Sequence, residues 1–285
     1  MIHIENLSFG YTKEKLFEGL ELHLEPGSIY GLLGRNGAGK TTLLKLICGM
    51  RFPQAGECRV FEDPSERRLP RVLEETALVP EELAIPPLTG GMYEHLYAPF
   101  YPQFDGEAFG AYLDEFELNR DVKLTELSYG QKKKYLLAFA MASGARLLIL
   151  DEPTNGLDIP SKSQFRRLLA RAADAGRLIL ISTHQVRDLE NLIDPVIILD
   201  QGRIIFHQSM EAIQRRLAVR IEPRAPGEEA LYAEPVPTGH AVVRENPAGE
   251  ETHMDLETLF KTVTSNRERI EEIFAREDMP HGGAE

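Results

Sequence analysis

The residue pattern with the clearest chemistry is a glycine-rich loop near the N-terminus. Gly34-Arg35-Asn36-Gly37-Ala38-Gly39-Lys40-Thr41 has the spacing G-x-x-x-x-G-K-[ST], in which backbone N–H groups fold around phosphate oxygens. Lys40 would reach the β- and γ-phosphates of a nucleotide, and the Thr41 hydroxyl would be a ligand of Mg²⁺. We predict phosphate contacts from Gly34, Arg35, Asn36, Gly37, Ala38, Gly39, Lys40, Thr41 and Thr42.

An acidic pair supplies the other groups that such a site needs. The segment LLILDEP places Asp151 and Glu152 at the end of an apolar strand, and ligands of parallel α/β sheets bind at that edge. We expect Asp151 to hold Mg²⁺ and Glu152 to be the general base that polarises the attacking water. Taken alone, the pair could also be a polar strand end before a proline turn.

These residues need buried strands to position them. Three apolar runs predict strands of βα units: residues 28–33, 145–150 and 177–182. The last two are continuously apolar, as in strands of a parallel sheet with both faces covered. Helical patterns follow the last two runs, at about 160–175 and 185–193. The segment 195–207 predicts a hairpin that closes the main domain. The chain is therefore predicted to be an α/β protein.

Changes in texture along the chain predict its domains. Residues 1–33 form short strand-like pieces that predict an antiparallel β subdomain, and about 86–145 has the helical spacing of an inserted subdomain. After residue 216 the composition shifts to Pro, Gly and Glu, with short strands followed by helices. We predict a main domain at 1–216 and an acidic α+β accessory domain at 217–285.

The composition excludes several classes of protein. The chain has 285 residues, 42% of them hydrophobic, and a net charge of −13, which disfavours a nucleic-acid partner. Residues 221–285 hold 15 acidic and 6 basic side chains, so most of the negative charge lies there. The sequence has no apolar run near the roughly 18 residues of a membrane helix and no signal-peptide pattern, and its two cysteines make no disulfide framework. We expect a cytoplasmic protein.

Further motifs occur in a specific order. LSYGQKKK lies at 127–134, NGLD at 155–158, and STH ends at His184. Together with the glycine-rich loop and the acidic pair, this set resembles the ATP-binding cassette of ABC transporters over about residues 1–215. The resemblance implies a P-loop NTPase fold and the cofactors ATP and Mg²⁺.

The resemblance also implies roles for individual residues. Tyr11 would stack on adenine, and Asp158 would join the two sites of a dimer. His184 would be the switch histidine near the γ-phosphate, so the implied catalytic residues are Lys40, Glu152 and His184. The signature residues would contact the γ-phosphate bound to the opposite subunit: Ser128, Gly130 and Gln131.

Two residues depart from the family pattern. Glu81 takes the place of the glutamine that senses Mg²⁺ and couples to the membrane partner. Since a carboxylate still binds Mg²⁺, the expected metal ligands are Thr41, Asp151 and Glu81. Tyr129 replaces a glycine of the signature motif, and we expect its side chain to turn away from the nucleotide.

The expected function follows from the resemblance. One chain would supply half of each of two sites, so a second cassette is expected, in a homodimer or with a related subunit. ATP hydrolysis would drive a separate transmembrane permease, on whose cytoplasmic face the chain would lie. The C-terminal segment 255–266 resembles extensions of bacterial exporter cassettes, which favours export. The alternative is a soluble cassette ATPase in a non-transport role; a binding module without hydrolysis is disfavoured by the intact motifs.

Two features of the sequence stay open at this stage. Lys132–Lys134 form either a cationic patch beside the γ-phosphate or a solvated helix face, and the solvated face is favoured. The aromatic residues of 93–116 either pack a small core or line a docking groove for a membrane partner.

Overall fold

The computed structural model describes residues 1–173, 176–224, 226–227 and 229–276. The chain divides into two compact units, Met1–Ile204 and Ile205–Glu285. This division falls earlier than the domain boundary predicted after residue 216. The predicted boundary stays a prediction. Of the helices in the described ranges, none is long and apolar enough to cross a membrane.

The strands of the first unit are β1 (Ile2–Phe9), β2 (Phe17–Leu24), β3 (Ile29–Leu33), β4 (Ala55–Val60), β5 (Asp63–Pro64), β6 (Thr76–Val79), β7 (Leu147–Asp151), β8 (Leu178–Thr183), β9 (Val196–Asp200) and β10 (Arg203–Gln208), the last of which ends in the second unit. Its helices are α1 (Lys40–Ile47), α2 (Pro70–Leu73), α3 (Gly90–Tyr97), α4 (Gly106–Glu115), α5 (Tyr129–Ala142) and α6 (Ile159–Ala172).

A six-stranded sheet of order β10-β9-β3-β8-β7-β6 positions the chemistry. Strands β9, β3, β8, β7 and β6 run parallel, and every residue of β3, β7 and β8 is buried. Leu33 pairs with Thr183, and Asp151 pairs with Ser182. The glycine-rich loop after β3, the acidic pair after β7 and the STH segment of β8 therefore meet at one edge of the sheet.

The N-terminal strands form a separate antiparallel sheet of order β2-β1-β4-β5. In β2 the buried residues Leu20, Leu22 and Leu24 alternate with exposed ones, as expected for a sheet with one covered face. Their side chains share a hydrophobic core with Leu43 and Ile47 of α1. The predicted antiparallel β subdomain on a P-loop α/β fold is confirmed.

The helical region between β6 and β7 has an aromatic core. Phe109 and Tyr135 pack edge to face with ring centroids 5.6 Å apart, and Phe139 lies 5.8 Å from Phe109. Other aromatic rings stay at the surface, with Phe100 66% exposed. The region therefore contains both a packed aromatic core and an exposed aromatic surface.

The predicted helix at 185–193 is wrong. The structure has only a short 3-10 turn, Val186–Asp188, before the chain returns to the sheet. The backbone N–H of Asp194 donates to the carbonyl of Ile29 at 2.8 Å, and β9 pairs with β3 immediately afterwards. Turn residues at 189–192 and this return to β3 occupy the segment in which the helix was expected.

The second unit combines a small sheet with helices. Its further elements are α7 (Met210–Arg216), β11 (Leu217–Glu222), β12 (Tyr232–Val236), β13 (Gly239–Glu245), α8 (Leu256–Ser265) and α9 (Arg267–Ala275). The strands form an antiparallel sheet of order β11-β13-β12. Its residues Val243, Leu259 and Ile270 are buried. Its described part is thus an α+β arrangement.

Candidate functional site

A cavity of about 560 Å³ lies at the carboxyl edge of the parallel sheet. Its walls come from the segments that follow β1, β3, β6, β7 and β8. The lining residues are Tyr11, Leu16, Arg35, Asn36, Gly37, Gly39, Lys40, Thr41, Thr42, Glu81, Glu152 and His184. Most of the residues that the sequence assigns to a nucleotide site therefore share one cavity.

The glycine-rich loop owes its shape to residues without a Cβ atom. Gly37 and Gly39 have φ values of 82° and 108°, which lie in the left-handed region that side chains disfavour. A Cβ on Gly39 would come within 2.8 Å of the Phe17 ring, and one on Gly34 within 2.5 Å of the Leu199 carbonyl oxygen. Gly39 also caps α1 without a side chain, which leaves the helix N-terminus open to an anion.

Lys40 is buried with its ammonium group directed at oxygen atoms of the site. Nζ donates a hydrogen bond to the carbonyl of Gly34 at 2.8 Å and lies 3.6 Å from Oε1 of Glu152. Both ionic side chains are buried. A buried ammonium in this position offers a strong electrostatic contact to phosphate oxygens.

Three oxygen ligands suitable for Mg²⁺ lie close to the loop. The Thr41 hydroxyl donates to Oδ2 of Asp151 at 2.8 Å, and the Ser182 hydroxyl donates to the other carboxylate oxygen. The Glu81 carboxylate lines the same cavity and accepts a hydrogen bond from the Asn155 side chain at 3.3 Å. Hydroxyl and carboxylate oxygens are the ligands that Mg²⁺ prefers, so these residues fit the expected ion.

Glu152 and His184 form a hydrogen-bonded pair across the ends of β7 and β8. Nδ1 of His184 lies 2.8 Å from Oε1 of Glu152, and the backbone N–H of His184 is 3.3 Å from Oε2. Glu152 has a φ of 46°, which is unusual for a residue with a side chain. Its backbone N–H donates to the Ser182 carbonyl at 3.0 Å, which holds this strained turn in place. The carboxylate is thereby fixed in the cavity with a histidine beside it.

Tyr11 presents an exposed ring at the mouth of the cavity. Its hydroxyl lies 3.2 Å from Oγ1 of Thr42, and this hydrogen bond lowers the pKa of the tyrosine below its usual value. Phe9 packs edge to face against the ring at 5.1 Å, and the Arg51 guanidinium lies 5.7 Å from its centroid. With 58% of Tyr11 exposed, an aromatic base has room to stack on it.

The signature residues lie elsewhere on the chain. The described residues that line the cavity do not include Ser128, Gly130 or Gln131. Ser128 caps α5: its side chain accepts from the Gln131 backbone at 3.2 Å, and the Gln131 side chain accepts from the Ser128 backbone at 2.9 Å. Asp158 caps α6 by accepting from the Ser161 N–H at 2.9 Å, and its hydrogen bonds with Ser161 lower the pKa of its carboxyl group.

The structure reveals one site residue that the sequence interpretation placed wrongly. Lys133 is 0% exposed, so the solvated-face interpretation is wrong for this lysine. Its Nζ donates to the carbonyls of Asp151 at 3.2 Å and Pro80 at 3.1 Å. Burial lowers the pKa of Lys133 to about 8, opposed in part by nearby carboxylates. Leu137 and Met141, at four-residue spacing after it, are also buried, and this periodicity was the available signal.

Two more residues complete the site: Asn155 and Ser182 lie within the NGLD and STH motifs, but the sequence assigned no role to either. Ser182 supports both Asp151 and Glu152, and Asn155 holds the Glu81 carboxylate. Both contacts join separate segments of the chain. Their roles therefore become visible only once β6, β7 and β8 are placed side by side.

Comparisons with known proteins agree with this geometry. The family model described as ABC transporter matches residues 17–155. Nod factor export ATP-binding protein I of Burkholderia pseudomallei (strain 1710b) is 30% identical over 269 residues, which cover 91% of this chain and 84% of that protein. A solved ATP-binding subunit of an ABC transporter is 26% identical with a TM-score of 0.69, covering 75% of this chain and 92% of that chain. A dimeric ATP-binding cassette in a post-hydrolysis state, bound to ADP and Pi, is 20% identical with a TM-score of 0.65. The match covers 74% of this chain and 99% of that chain, and it shows that the two chains have the same fold.

Proposed function

We propose that this chain, which belongs to the ABC transporter family as an ATP-binding, ATP-hydrolysing subunit, works as one half of a cassette dimer. The dimer would close on MgATP and would drive a separate membrane permease in export. The observation that carries this proposal is the separation of the site into two parts. The cavity holds the glycine-rich loop, Glu152 and His184, whereas Ser128 lies outside it.

A second cassette would supply the missing part. Ser128 and Gly130 lie at the exposed N-terminus of α5, a helix of 14 residues. The sequence of its first turn, Tyr129–Lys132, contains no acidic residue, so no negative charge in that turn opposes an anion at the positive end of the helix dipole. The γ-phosphate bound by one chain would therefore be contacted by this helix end of the partner cassette.

The residues of the cavity divide the work of hydrolysis. Lys40 and the loop N–H groups would bind the phosphates, and Tyr11 would hold the adenine. Thr41, Asp151 and Glu81 would hold Mg²⁺, which neutralises charge on the β- and γ-phosphates when bound. Glu152 would take a proton from the attacking water, and His184 would keep the Glu152 carboxylate oriented.

An apolar groove supports docking of a permease. Its volume is about 530 Å³, and its walls include Leu73, Tyr97 and Phe100, with Pro80 at one side. Phe100 is 66% exposed, and Pro80 directly precedes Glu81. A cytoplasmic segment of the permease seated there would contact the loop that carries a metal ligand. The chain would thus be peripheral on the cytoplasmic face of the membrane.

The direction of transport is proposed from relatives. Proteins that resemble most of this chain are named for Nod factor export, and we extend only the export direction to this chain. The transported compound would be chosen by the permease.

Mixing two inactive variants tests the shared sites. Lys40→Ala removes the phosphate contact and Ser128→Arg blocks the signature helix, so each variant alone is expected to lose ATPase activity. A mixed dimer regains one intact site, which should restore about one quarter of the wild-type rate when subunits assort at random. Lys45→Ala, a half-buried lysine on the same helix as Lys40, is the matched control and should stay active. No recovery on mixing would refute the shared-site geometry.

Co-purification tests the permease. The chain would be co-expressed with a multi-span membrane protein encoded beside its gene and recovered from detergent-solubilised membranes. Phe100→Ser should reduce recovery of the pair at least fivefold, whereas Phe52→Ser, at a similarly exposed ring outside the groove lining, should not. Equal recovery of both variants would exclude the groove as the docking site.

A further inference from the structure

Helix α5 binds the loop that carries Glu81 within the same chain. The Tyr129 hydroxyl donates a hydrogen bond to the carbonyl of Glu81 at 2.8 Å, and the Lys133 ammonium donates to the carbonyl of Pro80 at 3.1 Å. The two residues are four apart on α5 and so lie on one face of the helix, one turn from each other. Consecutive carbonyls of the loop are therefore held by consecutive turns of the helix.

Lys133 extends this contact to the end of β7. The same ammonium donates to the carbonyl of Asp151 at 3.2 Å. Its side chain is fully buried; burial lowers the pKa of the ammonium group, and the nearby carboxylates of Asp151, Glu81 and Glu152 oppose that shift. A buried ammonium needs such partners, because an unpaired charge in the interior is costly. Lys133 thus places an ammonium group beside three carboxylates, one of which belongs to Glu81.

The ring of Tyr129 is fixed by the segment after β7. Gly156 has a φ of 79°, and a Cβ there would come within 2.5 Å of the Tyr129 ring. A Cβ on Gly130 would come within 2.6 Å of the Gly156 carbonyl oxygen. The neighbouring Asn155 holds the Glu81 side chain. The start of α5, the segment 155–156 and the Glu81 loop are therefore in mutual contact.

We propose that Tyr129 and Lys133 are positioning residues, a clamp that holds the backbone of Pro80–Glu81 against the end of β7 and so sets where the Glu81 carboxylate lies in the phosphate cavity. The proposal rests on the proposed function for the metal-binding role of Glu81. The clamp itself is a property of the chain alone. Since Tyr129 lies next to Ser128, a partner's phosphate at Ser128 would act on the same helix turn that holds Glu81.

The first test measures the loop without nucleotide or Mg²⁺. A nitroxide is attached through Glu82→Cys, an exposed position beside the clamped carbonyls. The native Cys48 and Cys58 do not compete, because both are buried and burial raises the pKa of their thiols to about 12 and about 11. Electron paramagnetic resonance then reports the mobility of the loop.

Tyr129→Phe and Lys133→Met each remove one clamp donor while keeping the bulk of the side chain. We expect each to shorten the rotational correlation time of the nitroxide at least twofold. Lys132→Met, which removes the same charge at the preceding half-buried position, should leave it unchanged. If Lys133→Met fails to fold, Tyr129→Phe decides the outcome. Unchanged mobility in the folded variants would overturn the clamp.

The second test separates positioning from general loss of structure. Both variants should raise the Mg²⁺ concentration for half-maximal ATPase activity at least threefold, while ATP binding in EDTA stays within twofold of wild type. Weaker ATP binding in EDTA, or an unchanged Mg²⁺ requirement, would contradict a positioning role for these residues. If the wild-type requirement for Mg²⁺ is itself absent, the proposed metal site fails, and the nitroxide result still decides the clamp.

Discussion

Replacing Glu152 by glutamine separates proton transfer from nucleotide binding. The carboxylate is buried, lies 2.8 Å from Nδ1 of His184 and faces the Lys40 ammonium at 3.6 Å. Glutamine has nearly the same shape, so it can still accept the hydrogen bond from the His184 backbone. It cannot take a proton from water, and a positioned general base contributes about 10²- to 10⁴-fold to a rate.

The expected fall in kcat is therefore about 10²- to 10⁴-fold, or roughly 3–5 kcal/mol of transition-state stabilisation. ATP affinity should be equal or higher, because the substitution removes a negative charge next to the phosphate cavity and leaves Lys40 free to bind phosphate oxygens. The variant should then accumulate as an ATP-dependent dimer.

Phosphate release measures kcat, a fluorescent ATP analogue measures affinity, and size-exclusion chromatography with ATP measures the dimer. Glu82→Gln is the matched control, since it removes an exposed carboxylate that does not line the cavity and should leave kcat within twofold of wild type. A kcat of Glu152→Gln within tenfold of wild type would refute the assignment of the base. Loss of ATP binding would instead indicate a binding role for the carboxylate.

Three further changes have defined outcomes. Tyr11→Ala should raise the Kd for ATP by about tenfold through loss of stacking, and Tyr11→Phe should raise it less; equal values for wild type and alanine would exclude adenine stacking. Glu81→Gln should raise the Mg²⁺ concentration for half-maximal ATPase activity, because one anionic ligand is lost. If this concentration and the stimulation of ATPase activity by the permease are both unchanged, Glu81 neither binds the metal nor couples to the permease. Gly156→Ala should lower the free energy of unfolding, measured with urea, by about 1–3 kcal/mol, because the left-handed conformation of Gly156 and its contact with the Tyr129 ring exclude a Cβ. An unchanged free energy of unfolding would mean that the Tyr129 ring moves away freely.

The sequence alone was sufficient for the parts of the molecule that local patterns encode. The glycine-rich loop needs residues close together in sequence, and continuous apolar runs predict buried parallel strands. Because carboxyl ends of parallel strands meet at one edge, the strands alone predicted the convergence of Lys40, Asp151 and Glu152, whereas His184 was expected from the resemblance to ABC cassettes. The predicted fold is confirmed, and the structure places these residues at one edge of the sheet as expected.

Only the tertiary structure decided the features that depend on distant segments. A run of three lysines gives the same charge at each position, and the placement of α5 beside Pro80 and the end of β7 selects Lys133 for burial. The helix expected at 185–193 is displaced by pairing of β9 with β3, a contact that local propensity does not contain. Tyr129 bonds to a carbonyl 48 residues away in sequence. Short-range spacing encodes the conformation of a segment, whereas the neighbours of a side chain are set by how the segments pack.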